Sequence, residues 1–302
     1  MYKINFEQPV HVHFIGIGGI SMSGLAEVLL EEHFTISGSD NKRSPLTEQL
    51  EKAGVTIFYG QKASNIIEGI DVVVYTAAIH EDNEEYQAAV QKGLPMLSRA
   101  ELLGQLMTNY DTPIAVSGTH GKTTTTSMLS HILLSAEMDP TISVGGILKA
   151  IGGNIRVGNS EIFLTEACEY TNSFLHFFPK IGVILNIDED HLDFFKDLAD
   201  IRHSFRKFAE LLPADGTLVI NGEIPELHEI TDGLACRVVT YGPDSSYDYS
   251  ATNILHDQIG EASFDFVKNG EFVTRIALSV NGDHNVSNAL AALAVADILK
   301  ID

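Results

Sequence analysis

Ile114-Ala-Val-Ser-Gly-Thr-His-Gly-Lys-Thr-Thr-Thr-Thr126 decides the fold class. An apolar run, a glycine turn, Lys-Thr and then the amphipathic Met128-Leu-Ser-His-Ile-Leu-Leu134 spell strand, phosphate loop and helix. Gly118 and Gly121 let backbone N–H groups converge on phosphate oxygens at a helix N-terminus. Lys122 can neutralise the outer phosphates, and the Thr123 hydroxyl can ligate Mg²⁺. In the general motif a glycine stands five residues before the second one. Here Val116 holds that place, and Gly118 lies only three before Gly121. Without a ligand, the same residues read as a glycine turn with a surface lysine. The strand before and the helix after are the context that favours a phosphate loop.

The rest of the chain sets bounds on this reading. Its 302 residues are enough for two cores, and 44% hydrophobic with 20% charged residues is a globular composition. No apolar run approaches the roughly 20 residues of a membrane span. The start, Met1-Tyr-Lys-Ile-Asn-Phe-Glu7, lacks the apolar core of a signal peptide. A formal charge of −22 argues against nucleic-acid or anionic-membrane partners. Cys168 and Cys236 are isolated, which suggests a reducing, cytoplasmic setting. Oligomeric state has no signature.

Upstream of the loop, Val10–Ile15, Phe34–Ser37, Thr56–Phe58 and Asp71–Thr76 read as strands. They alternate with helical stretches at Ser21–Glu32, Pro45–Ala53, Asn83–Lys92 and Arg99–Met107. That alternation predicts a parallel sheet covered on both faces, a Rossmann-like unit. Asn109-Tyr-Asp-Thr-Pro113 breaks the pattern, so the boundary is expected there, with residues 1–109 as one domain and 110–302 as a second α/β unit of ATPase type. The second unit is expected to hold the glycine-rich Gly145–Gly158 segment and strands near Ile162–Thr165, Ile181–Leu185, Thr217–Ile220 and Val238–Thr240. A helix from about Leu198 to Leu212, antiparallel strands from Tyr249 to Val280 and a closing helix from about Val286 complete it.

Gly16, Gly18 and Gly19 follow the first strand and open a helix, and Asp40 ends the next strand, as in a dinucleotide fingerprint. The third glycine position holds Ser21. The cluster therefore suits a pyrophosphate, from either a nicotinamide cofactor or a nucleotide sugar; a turn that only allows tight strand–helix packing stays open. In the second unit, Glu166 ends one apolar run and Glu169 follows it. Another run ends in Asn186-Ile-Asp-Glu-Asp-His191. In a parallel sheet the loops after strands share one edge, so these groups can converge on the phosphates. Mg²⁺ favours hard oxygen ligands, which makes His191 the less usual candidate. Asn285 and Asn288 open the last helix, where an N-cap role is the simplest reading and adenine recognition the alternative.

Taken together, these residues resemble the Mur ligases, ATP-dependent enzymes that build the peptide of bacterial cell wall. The resemblance rests on His13-Phe-Ile-Gly-Ile-Gly-Gly-Ile-Ser-Met-Ser-Gly24, Gly38-Ser-Asp40, Ser98-Arg-Ala-Glu101, Gly118-Thr-His-Gly-Lys-Thr-Thr124, Glu166-Ala-Cys-Glu169, Asn186–His191 and His284-Asn-Val-Ser-Asn288, in family order. The shortened phosphate loop is the family's own form, and His120 is typical of its alanine-adding branch. The resemblance implies ATP and Mg²⁺ as cofactors and UDP-N-acetylmuramate and L-alanine as substrates, joined through an acyl phosphate. It implies ATP contacts at Gly118, Thr119, His120, Gly121, Lys122, Thr123, Thr124, Asn285 and Asn288. Thr123 and Glu166 would ligate one Mg²⁺ and His191 a second, with Lys122, Glu166 and His191 as the catalytic set. Substrate would go to Gly16, Gly18, Gly19, Ser21, Asp40, Arg99 and Glu169. Cys168 stands where many relatives carry Asp, and Thr76-Ala77 where many carry two serines. The family's third domain would begin about where this sequence ends, so a truncated, poorly active piece is expected. The tripeptide-recycling branch and a non-catalytic binding module remain the alternative readings.

Overall fold

The computed structural model describes residues 2–301. The first strand, β1 (His11–Ile15), runs into α1 (Ile20–Glu31) through the glycine turn. β2 (Thr35–Asp40), α2 (Pro45–Lys52), β3 (Thr56–Tyr59) and β4 (Val72–Tyr75) follow. Then come α3 (Glu84–Gln91), β5 (Met96–Ser98) and α4 (Arg99–Met107). The strands form one parallel sheet in the order β3-β2-β1-β4-β5. This order reverses at β1, which puts the turn after β1 at the topological switch point where α/β sheets bind ligands. Two helix starts are written in the sequence. Ser44 and Thr47 form a capping box on α2, and Ser98 and Glu101 form one on α4. Three-residue β5 is too short for a periodicity signal, and the sequence reading missed it.

Next come β6 (Thr112–Ser117), α5 (Lys122–Ser135), and the antiparallel pair β7 (Thr141–Leu148) and β8 (Gly153–Arg156). The chain forms two compact units: the residues through Tyr110 with Thr141–Gly158, and Asp111–Pro140 with Asn159 onward. The glycine-rich segment was expected in the second unit, but as the β7–β8 hairpin it belongs to the first. The reason is a close fit: a Cβ on Gly24 of α1 would come within 2.8 Å of Ile155 on β8. A glycine-rich hairpin has no long apolar run to announce such packing.

The second unit continues with β9 (Ile162–Ala167), β10 (Ile181–Ile184), α6 (Leu198–Glu210), β11 (Thr217–Asn221), the short α7 (His228–Thr231) and β12 (Arg237–Gly242). β13 (Tyr249–His256), β14 (Glu261–Lys268), β15 (Glu271–Asn281) and α8 (His284–Ile298) close it. β12, β11, β10, β6 and β9 lie side by side and parallel. β13 joins β12 in parallel, then β14 and β15 turn antiparallel. Alternation along β14 buries Ala262, Phe264 and Phe266, as its period-two pattern requires. α5 and α8 cover this sheet; Leu129 and Leu133 of α5 and Leu290 of α8 share a core with Val116, Val183 and Phe264. Pro113 sits inside β6 rather than in a linker before it. It lies near the strand's start, where a missing N–H is tolerated.

Candidate active site

β6, β9 and β10 end together, because Ser117 pairs with Ala167 on one side and Ile184 on the other. The loop from Gly118 to Gly121 leaves this edge, and α5 begins at Lys122. Gly118 has φ +141°, and a Cβ there would come within 2.9 Å of Leu185. Gly121 is the N-cap in the left-handed region, φ +86°. Both positions call for glycine. The sequence after β10 shapes the loop. Thr119 N donates to Asn186 O (3.1 Å), and His120 N donates to Asn186 Oδ1 (2.7 Å). Asn186 Nδ2 donates back to His120 O (2.9 Å), and Asp188 N donates to Thr119 Oγ1 (2.9 Å). Asn186 is therefore a second clamp on the loop, which sequence reasoning placed nearby but gave no role.

With Thr119 and His120 N–H groups spent on Asn186, the donors aimed outward are those of the first turn of α5. A helix's first N–H groups have no intrahelical partner, and the helix dipole adds positive potential there. Lys122 Nζ donates to Gly118 O (2.6 Å), Thr119 O (3.1 Å) and Glu169 Oε2 (3.0 Å). Glu169 is only 2% exposed. It was expected on the substrate; in the structure its carboxylate faces Lys122, with the His191 imidazole 3.8 Å away. Thr123 Oγ1 donates to Glu166 Oε2 at 2.9 Å, which brings together the two oxygens expected on one metal ion. His191 has φ +54° and stacks on Tyr170 with ring centroids 4.5 Å apart. The Tyr170 hydroxyl donates to Asp193, a bond that holds the phenol above its ordinary pKa. Tyr170 was missed because a lone aromatic after an acidic residue has no distinctive spacing.

Asn285 and Asn288 are not caps. Asp283 holds the N-cap position of α8, and the two asparagines lie inside the helix, 7% and 5% exposed. Asn285 Nδ2 donates to Asn281 O, and Asn288 Nδ2 donates to Asn285 Oδ1. Asn288 faces the phosphate loop: a Cβ on Gly121 would sit 2.5 Å from its Oδ1. An open pocket of about 240 Å³ lies along the neighbouring face of α8, floored by Pro243, Ala251, Ile254, Val286 and Leu290.

In the first unit the glycine turn rests on the end of β2. Gly16 N and Ile17 N both donate to Ser39 O at 2.9 Å, and Gly18 N donates to Asp40 Oδ2 at 2.8 Å. These N–H groups are thus engaged within the loop, and the donors left for an anion are those of the first turn of α1, from Ile20 onward. Ser21 lies in that turn and accepts from Arg99 Nη1 at 3.3 Å. In a dinucleotide site the acid after the second strand reaches the ribose. Asp40 is instead turned into the loop, so the nicotinamide reading loses its main contact.

Residues 116–296 match the family described as Mur ligase middle domain, and residues 11–111 match Mur ligase family, catalytic domain. The chain belongs to the Mur ligase family. A UDP-N-acetylmuramate–L-alanine ligase of Agathobacter rectalis is 61% identical over 100% of this Mur ligase chain and 66% of its own length. One from Lachnospira eligens is 57% identical with the same coverage. The chain thus spans just under two thirds of these relatives. Among solved structures, a UDP-N-acetylmuramate:L-alanyl-γ-D-glutamyl-meso-diaminopimelate ligase from Neisseria meningitides matches with TM-score 0.86 and 31% identity, over 98% of this chain and 95% of that one. A UDP-N-acetylmuramate–alanine ligase from Thermotoga maritima matches with TM-score 0.79 and 32% identity, over 97% of this chain and 66% of that one.

Proposed function

We propose that this chain takes a nucleotide sugar on its first unit and ATP on its second, and serves the ATP-dependent ligation of L-alanine to UDP-N-acetylmuramate. The observation that carries this reading is the phosphate loop, where Lys122 is held by a buried carboxylate and Thr123 touches Glu166 at the start of a helix. The relatives at 61% and 57% identity support the choice of L-alanine over a tripeptide. The residues through about Asn109, joined by the β7–β8 hairpin, form the sugar-nucleotide domain, and the remaining residues from about 110 onward the ATP domain.

In this reading the first turn of α5 and Lys122 bind the β- and γ-phosphates. Lys122 exchanges Glu169 for phosphate oxygen and offsets the charge that develops as the lactoyl carboxylate attacks the γ-phosphorus. ADP leaves and an acyl phosphate remains; the alanine amine then attacks its carbonyl carbon, and phosphate departs. Asn288, packed on Gly121, steadies the loop from α8, and the nearby pocket suits an adenine ring.

The Thr123–Glu166 oxygen pair fits Mg²⁺, a hard cation that usually keeps water and substrate phosphates as its remaining ligands. That fit is supported by the donor set itself, a hydroxyl and a carboxylate oxygen 2.9 Å apart at the start of α5. Bound there, Mg²⁺ would neutralise phosphate charge; His191 is the candidate for a second ion. No helix among the described residues is long and apolar enough to cross a membrane. A cytoplasmic setting, where ATP and nucleotide sugars are made, goes with this function.

Hydroxylamine trapping tests it. With ATP, Mg²⁺ and UDP-N-acetylmuramate but no alanine, the acyl phosphate should yield a hydroxamate of the sugar nucleotide, with one ADP for each hydroxamate. AMP in place of ADP, or no hydroxamate when both ligands bind, would refute the acyl-phosphate route.

A further inference from the structure

Beneath the glycine turn of the first unit lies a chain of buried polar groups that the proposed chemistry does not use. His11 Nε2 and His13 Nδ1 both contact Ser37 Oγ, at 2.7 and 2.8 Å. His13 Nε2 contacts Glu85 Oε1 at 2.6 Å, and Ser39 Oγ donates to Glu85 Oε2 at 2.7 Å. His13, Glu85 and Ser39 are 0% exposed, and Ser37 is 1% exposed. Three elements meet here: His13 on β1, Ser37 and Ser39 on β2, and Glu85 in the first turn of α3. Burying so many polar groups is costly unless every one is hydrogen-bonded.

His11, Ser37, His13, Glu85 and Ser39 thus form one continuous hydrogen-bonded chain, with the roles of the ring nitrogens set by the imidazole tautomers. Glu85 is held at both oxygens, one against His13 Nε2 and the other by the Ser39 hydroxyl. The Phe58 ring packs on His13.

This hydrogen-bonded chain bears on the ligand loop through one residue. Ser39, pinned to Glu85 by its hydroxyl, offers its carbonyl to both Gly16 N and Ile17 N, and Asp40 beside it takes Gly18 N. We propose that His13 and Glu85 form a buried polar clamp that sets the glycine turn, and so are positioning residues for the nucleotide sugar. The proposal rests on the assignment of that ligand to the first unit.

Two measurements test it. In ¹⁵N NMR of the intact, uniformly labelled chain, Glu85→Gln should shift the His13 ring nitrogens and, through Ser39, the Gly16 and Ile17 amides. Unchanged Gly16 and Ile17 amides in the folded variant would overturn the clamp. Calorimetry then separates function from structure. Glu85→Gln should weaken UDP-N-acetylmuramate about tenfold, roughly 1.4 kcal/mol, while ATP binding on the second unit is unchanged. Should Glu85→Gln fail to fold, Ser39→Ala, which removes a single hydrogen bond, should show a smaller loss of the same selectivity. Equal sugar-nucleotide affinity in a folded variant would refute the positioning role. Absence of sugar-nucleotide binding by the wild type would instead sink the ligand assignment, and the proposal with it.

Discussion

Lys122→Met removes the ammonium and keeps most of the stem, and its effect without ligand is as informative as its effect on ATP. In the free protein Lys122 Nζ bonds Glu169 Oε2 at 3.0 Å, with Lys122 side-chain exposure of 17% and Glu169 of 2%. Breaking a buried pair by removing one partner costs about 3–5 kcal/mol. Partial exposure of the lysine and the His191 imidazole 3.8 Å from Glu169 reduce this; about 2–3 kcal/mol is expected. For a unit of this size that lowers Tm by roughly 4–12 °C. Removing the charge it strands, in Lys122→Met/Glu169→Gln, should restore more than half of the loss. In the proposed function the same lysine would give ATP a charge-assisted bond worth about 1.5–3 kcal/mol, so ATP affinity should fall roughly 10- to 150-fold in both variants. Thermal melts without nucleotide and calorimetry with a non-hydrolysable ATP analogue check both halves. An unchanged Tm in Lys122→Met, or a double variant less stable than the single, would refute the idea that Glu169 holds this lysine.

Other consequences are as direct. Gly121→Ala must hold a Cβ at φ +86° and 2.5 Å from Asn288 Oδ1. Left-handed strain of about 1–2 kcal/mol and displacement of the Asn288 amide at about 1 kcal/mol should together cost about 2–3 kcal/mol in denaturant melts, part of it relieved by adding Asn288→Ala. Asp40→Ala frees the Gly18 N–H from a carboxylate, so hydrogen exchange at Gly18 should quicken about tenfold or more. Asp297 is raised by burial, but bonds from Lys268 and Tyr249 outweigh that and hold its carboxyl below the ordinary range. A depressed carboxylate stabilises above the unfolded value, about 3.9, and loses that contribution as pH falls through the folded value. Asp297→Asn should therefore lower stability at neutral pH and flatten the acid limb below about pH 4; an acid limb as steep as wild type would count against the assignment.

The phosphate loop and both sheets were legible because each rests on local pattern: an apolar strand, glycines where φ must be positive, and a helix after them. The short β5 and the β7–β8 hairpin were not, because three residues give no period and glycines give no apolar face. At the site, sequence identified residue types but not their partners. Glu169 stands beside Glu166 in the chain, yet one lies buried on Lys122 and the other meets Thr123. Asn285 and Asn288 looked like caps because polar residues open that helix; with Asp283 at the N-cap, both fall inside the helix and are buried. The Ser37–His13–Glu85 chain joins residues up to 72 positions apart, through pairing of β1 with β2 and the docking of α3, which no spacing rule encodes.

One chain should carry two separate ligand sites, one in each unit. Calorimetric titration of the intact chain with UDP-N-acetylmuramate, and separately with Mg·ATP, measures this, with Lys122→Met as the control. One equivalent of each ligand should bind, and the substitution should weaken ATP alone. Failure of the intact chain to bind Mg·ATP, tighter binding of NAD than of the nucleotide sugar, or equal loss of both ligands in Lys122→Met would contradict it.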